Sequence, residues 1–193
     1  MVETARRREI EDAASVLFRQ HGYPATSVRD IARALDIRGA SLYAHVASKE
    51  DVLWSIVDRV ARRFERAASE ALAAAAGPED ALARLVRAHV RAVTADVGEA
   101  SVFIHEWRHL SETRRADVLA RRDAYERRFR SVIGDGIAAG AFALTDPALA
   151  ATFVLTALNG IPTWYRSDGA LDPGSLADLY ADLVVRSLTE ASP

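Results

Sequence analysis

The chain has 193 residues, half of them hydrophobic, which excludes a disordered chain and is enough to bury a sizeable core. It has no cysteine, which excludes disulfides and thiolate metal sites and fits a reducing compartment, and no apolar run reaches the length of a membrane span. Net charge is −2, and residues 1–50 carry 8 basic against 7 acidic groups, residues 51–140 carry 15 against 14, and residues 141–193 carry 2 against 6, so any nucleic-acid binding has to rest on arrangement and not on bulk charge.

The first predicted helix runs from about Glu3 to Gln20, with Ile10, Ala13, Ala14, Leu17 and Phe18 on one apolar stripe. Gly22 ends it. Arg6, Arg7 and Arg8 oppose the helix dipole in its first turn, which reads either as a frayed end or as an arm for phosphates. Glu9, Glu11 and Asp12 follow where a signal peptide needs an apolar stretch, so a cytoplasmic protein is expected. Ser27 and Asp30 make a capping box for a second helix, in which Val28, Ile31, Ala32 and Leu35 repeat at helical spacing. Asp36 falls at a turn and tolerates the left-handed conformation. Ile37 is expected as a buried wedge, and a third helix over 39–45 should point Leu42 inward and Gly39, Ala40, Ser41, Tyr43 and Ala44 outward. Two helices joined by so short a turn form a helix-turn-helix.

Ser48 caps a long fourth helix to about residue 75, which Gly77-Pro78 breaks. Leu82, Leu85, Val86, His89 and Val90 mark the buried side of a fifth helix. A sixth spans about 100–109 and a seventh about 111–139. Two apolar helices close the chain, over 147–159 and 174–189. No period-2 pattern is present, so the fold class is all-α: nine helices, with a three-helix head at 1–47 and a larger helical body at 48–193.

Ala13-Ala14, Leu17-Phe18, His21-Gly22-Tyr23, Ala25-Thr26-Ser27, Ile31-Ala32, Leu42-Tyr43, His45 and Ser48-Lys49-Glu50 together resemble the N-terminal domain of the TetR family of bacterial repressors. Asp36 stands where the family usually has Gly, and Arg38 where it usually has Ser or Thr. The resemblance implies a homodimer that reads a pseudo-palindromic double-stranded DNA operator, pairing through the helices at 147–159 and 174–189. It also implies that Ser27, Tyr43, His45 and Lys49 contact phosphates, while Arg38, Gly39, Ala40, Ser41 and Ala44 face base edges. No enzyme activity, no cofactor and no membrane partner are expected.

Glu106-Trp107-Arg108, Arg122-Asp123-Ala124-Tyr125-Glu126, Gly136, Gly140 and the run Asn159 to Tyr165 are similar to the branch of that family that senses acyl-CoA thioesters and lipid catabolites. An apolar or acyl-CoA-like effector is therefore expected, lined by Phe103, Trp107, Tyr125, Phe129 and Phe153, with Arg108 or Arg122 for its anionic group. One motif competes. His105-Glu106-Trp107-Arg108-His109 matches H-E-x-x-H, which on a helix gives two zinc ligands and a general base, with Glu126 as a third ligand. It allows an alternative zinc-dependent hydrolase or a metal-responsive regulator, against the reading of ordinary helix residues.

Overall fold

A computed structural model describes residues 2–143 and 146–189, with side chains from Ala5 onward. All regular structure among the described residues is helical. Nine α-helices have five residues or more: α1 (Val2–His21), α2 (Val28–Ala34), α3 (Gly39–Tyr43), α4 (Lys49–Ala73), α5 (Pro78–Thr94), α6 (Val97–His105), α7 (Glu112–Ala138), α8 (Pro147–Asn159) and α10 (Pro173–Thr189). A single turn, α9 (Ile161–Trp164), follows α8, and a 3-10 turn at Trp107–His109 lies between α6 and α7. The all-α expectation holds.

The chain forms two compact units, residues 1–61 with 98–119, and residues 62–97 with 120–193. Helix α4 belongs to the first unit up to Ala61, and α7 belongs to the second from Ala120. The head defined by the sequence motifs is thus one part of the first unit, which also takes in the start of α4 and the corner between α6 and α7.

Local chemistry sets the first unit. Gly22 has φ 79°, a left-handed stop that a Cβ would strain. Ser27 caps α2 by accepting from the Asp30 N–H at 3.2 Å, and the Asp30 carboxylate accepts the Ser27 N–H at 2.9 Å, the reciprocal box that the sequence predicts. Asp36 carries φ 51°, the one non-glycine positive φ among the described residues, at the predicted turn. Ile10, Phe18, Ile31, Leu42, Leu53 and Ile56 are fully buried. Ile37 is only half-buried, so Leu42 and not Ile37 wedges α2 against α3.

The arginines at the start of α1 are neither frayed nor a free arm. Arg7 binds Glu11 and also Asp51 and Ser55 on α4, and Arg8 binds Asp12 and Glu99. Arg59 of α4 bridges Glu11 and Glu99, the latter 1% exposed. Buried carboxylates persist because guanidinium groups neutralise them and fill their acceptor sites.

In the second unit α5 packs chiefly on α10, with α8 and α9 beside it. Asp146 caps α8 by accepting from the Ala148 and Leu149 N–H groups. Gly136 admits the Phe142 ring, which lies 2.2 Å from where a Cβ would stand. That close approach seals the end of α7, and the Ala143 N–H then reaches the Leu188 carbonyl at 2.8 Å. No helix of the described residues is long and apolar enough to cross a membrane.

Candidate nucleic-acid interface

Helix α3 is held by Leu42, which is fully buried, and by Val46 just beyond it. With that side fixed, Arg38, Ala40, Ser41, Tyr43 and Ala44 are exposed, and Gly39 is half-buried. Arg38 stands at the N-cap with an extended backbone and gives the helix no side-chain cap. Its guanidinium is thereby free of helix duties, and the small residues that follow permit close backbone approach. Tyr43 is 57% exposed, a large ring that the fold does not use inside. His45 is half-buried and sets its Nδ1 inward without a hydrogen-bond partner.

Ser27 is exposed beside α3, and its capping geometry leaves the hydroxyl at the surface. Hydrogen bonds from Ser27 hold the Asp30 carboxyl below its usual range. Lys49 differs from the expectation of a phosphate contact. Its ammonium donates to the Tyr23 carbonyl at 2.9 Å and the Thr26 carbonyl at 2.7 Å, and lies 4.2 Å from the centre of the Tyr23 ring. Burial lowers its pKa.

Two residues that motif reasoning passed over join this surface. An open depression of about 470 Å³ is lined by Arg29, Ala32, Arg33, Asp36, Ile37, Arg38 and Gly39. Three arginines thus line one cleft beside α3, with Arg33 paired to Asp30 at 3.2 Å, although the first fifty residues are almost neutral. Spacing held the signal: Arg29 and Arg33 lie four apart on α2, on the side facing the turn.

The residues expected around an effector fall in different units. Phe103, Trp107 and Arg108 belong to the first, where Trp107 is buried and the exposed Arg108 guanidinium stacks 4.8 Å from its ring. Tyr125, Phe129 and Phe153 belong to the second. Tyr125 and Phe129 pack at 5.6 Å between centroids, with Phe64 5.8 Å from Tyr125. Phe153 does not join them: it is 59% exposed on α8, because its neighbour Val154 takes the inward position.

The sequence reading placed His89 inside, but gave it no functional role. It is 3% exposed, 4.8 Å from the Phe64 ring, and its Nδ1 lies 3.2 Å from the Tyr125 hydroxyl. Its Nε2 is buried without a hydrogen-bond partner. Burial, aided by the charge of Arg122, lowers its pKa to about 3, so the ring is neutral near pH 7. Burial likewise raises the Tyr125 phenol, which stays protonated.

The H-E-x-x-H reading fails on local geometry. Helix α6 ends at His105, and His109 lies in the following 3-10 turn, so the two histidines do not share an α-helical face. The Glu106 carboxylate accepts the Tyr23 N–H at 3.2 Å, and Glu126 pairs with Arg130 in the second unit. Among the described residues no three His, Asp or Glu groups are placed to hold a metal ion.

Comparison with known proteins adds to this geometry. Residues 10–56 match the family model "Bacterial regulatory proteins, tetR family", and residues 75–188 match "Tetracyclin repressor-like, C-terminal domain". The HTH-type transcriptional repressor KstR2 of Rhodococcus jostii is 30% identical over 197 residues, covering 99% of this chain and 94% of that protein. The solved ketosteroid transcriptional regulator KstR2 of Mycobacterium tuberculosis superposes with a TM-score of 0.91 at 26% identity, over 96% of each chain. AibR, solved in complex with isovaleryl coenzyme A and operator DNA, superposes with a TM-score of 0.81 at 28% identity, over 95% of this chain and 98% of its own.

Proposed function

The chain belongs to the TetR family of bacterial regulatory proteins and is a ligand-responsive, helix-turn-helix transcriptional repressor, and from that premise we propose how its parts divide the work. The functional boundary lies at 47/48. The segment 1–47 reads DNA, and 48–193 binds the effector and dimerises, in the cytoplasm. Arg38, Gly39, Ala40, Ser41 and Ala44 face base edges in the major groove, and Ser27, Tyr43 and His45 approach phosphates. Arg29 and Arg33 add charge at the groove wall. Lys49 acts one step back by holding the turn that presents Ser27. The observation that carries this reading is the solvent-facing row on α3, fixed from behind by fully buried Leu42. Arg38 in that row suits the paired acceptors of a guanine.

Dimerisation falls to α8 and α10. Leu149, Phe153, Leu179 and Leu183 are each more than half exposed there, with Ala157 beside them. Four large exposed apolar groups on these two helices supply the kind of surface that a two-fold interface needs. Phe153 belongs to this surface and not to the effector site.

The effector carries an apolar acyl chain, as the isovaleryl coenzyme A bound by AibR does, and that chain is seated among Phe64, His89, Tyr125 and Phe129. Its apolar part replaces ring contacts, and a neutral carbonyl or hydroxyl meets His89 Nε2. An unsatisfied buried nitrogen costs about 1–3 kcal/mol, which such a group would relieve. The test is selection of duplexes from a random library by the protein, followed by gel shift with isovaleryl-CoA and longer acyl-CoA thioesters. A pseudo-palindrome released by one of them is the expected result. Binding that persists with every thioester overturns the effector class, and failure to enrich any duplex overturns the division of labour.

A further inference from the structure

The corner at 105–114 serves neither the DNA-reading row nor the aromatic interior of the second unit. Its contacts converge on one residue of the α1–α2 turn. The Glu106 Oε2 accepts the Tyr23 N–H at 3.2 Å, and the His109 Nε2 lies 3.5 Å from the same oxygen. The His109 ring stacks on the Tyr23 ring at 5.4 Å and 16°. Lys49 holds the Tyr23 carbonyl and approaches its ring, and Phe18 packs on it at 5.2 Å. Further along, the Ser111 N–H donates to Glu50 at 3.0 Å, and Arg114 pairs with Glu50 and Asp51 in the first turn of α4. All of these groups lie in the first unit.

A turn leaves backbone N–H groups outside any helical ladder, and a partly buried one needs a partner from the fold. Tyr23 is two residues past the end of α1, and its N–H is answered from a residue 83 positions away. Four residues later stands Ser27, which caps α2 and faces solvent. The Tyr23-to-Ser27 turn therefore takes its position from the 106–114 corner as well as from α1.

We infer that Glu106 and His109 are positioning residues of a clamp that fixes the α1–α2 turn, and through it the presentation of Ser27 and α2 to DNA. The motif that reads as a metal site is the jaw of this clamp. Glu106 supplies an acceptor and His109 a flat ring. The same corner opens α7 (Glu112–Ala138).

The test uses the full-length protein, the duplex that the wild type enriches from a random library, and amide hydrogen exchange over 22–27. Glu106→Ala is expected to weaken binding about tenfold, in the usual range of site-to-site coupling, and to speed exchange at the Tyr23 amide. Glu106→Gln keeps an acceptor oxygen and restores both readouts to near wild type. His109→Ala weakens binding, and His109→Phe, which retains a stacking ring, restores it. Wild-type affinity and exchange in Glu106→Ala overturn the clamp, as does a Glu106→Gln variant as impaired as the alanine. If Glu106→Ala does not fold, the His109 pair decides by the same criterion. A wild type that enriches no duplex overturns the DNA reading instead, and exchange at Tyr23 alone then judges the clamp.

Discussion

At the centre of the first unit, Glu11 and Glu99 are buried and held by Arg7, Arg8 and Arg59. In the second, Phe64 and Tyr125 flank a neutral His89 with one nitrogen unanswered, and Phe129 packs on Tyr125. The two solutions suit different tasks. Charge-assisted hydrogen bonds have strict geometry, so a bridged set of carboxylates and guanidinium groups fixes helix register, which a DNA reader requires. Ring packing is less directional and can rearrange around a guest. The unanswered nitrogen gives the second unit a modest standing penalty that a guest would remove. Rigidity is thus concentrated in the first unit, and the proposed effector site would draw on the adaptability of the second.

Breaking the first unit's lattice should have the largest effect. Arg59→Ala leaves two buried carboxylates short of a partner and is expected to cost about 3–5 kcal/mol in urea unfolding. A loss under about 1 kcal/mol would mean that the lattice is not what distinguishes this unit. Acid should strain the second unit next. The His89 pKa is depressed in the fold to about 3, so the unfolded chain takes up the proton first as pH falls. The stability contributed by neutral His89 is fully present above about pH 6.5 and is lost toward pH 3, at roughly 1.4 kcal/mol per pH unit. Unfolding midpoints between pH 7 and 4, compared with His89→Gln, isolate this share from the carboxylates. The variant should show the shallower decline.

A smaller effect separates the hydrogen bond from the packing around it. Tyr125→Phe should cost about 1–2 kcal/mol, because it leaves a second imidazole nitrogen unanswered, and adding His89→Leu should recover most of that loss. A double variant as unstable as the sum of its parts would place the stability in ring contacts alone. Smallest is Ser27→Ala, which removes half of the capping box for about 1 kcal/mol. Operator affinity should fall more than stability does, and equal falls would argue against Ser27 at the phosphate.

What the sequence made legible is what local rules govern. The Ser27–Asp30 box, the left-handed Asp36, the stops at Gly22 and Gly77, and the outward row on α3 each depend on neighbours within a few residues. The harder features join distant residues. Glu11 meets Arg59 across 48 positions and Tyr23 meets Glu106 across 83, and no periodicity encodes such pairs. Phe153 reads as a pocket residue from its type, yet helix phase puts it outside. H-E-x-x-H misleads because its chemistry needs one continuous helix, and α6 stops after the first histidine. Lys49 is a phosphate contact by family resemblance, while in the fold its ammonium donates to two carbonyls.

That lysine is the only one in a chain with 25 basic residues, the rest being arginine. It is therefore the sole side-chain amine available to an acylating reagent. An ammonium that donates to two carbonyls must release both and shed a proton before its lone pair can attack. Acylation by a succinimidyl ester should thus proceed only during openings of the Tyr23–Thr26 turn. The α-amine reacts as well, so the Lys49 adduct would be followed by peptide mapping, and its rate of formation would serve as a clock for how often that turn lets go.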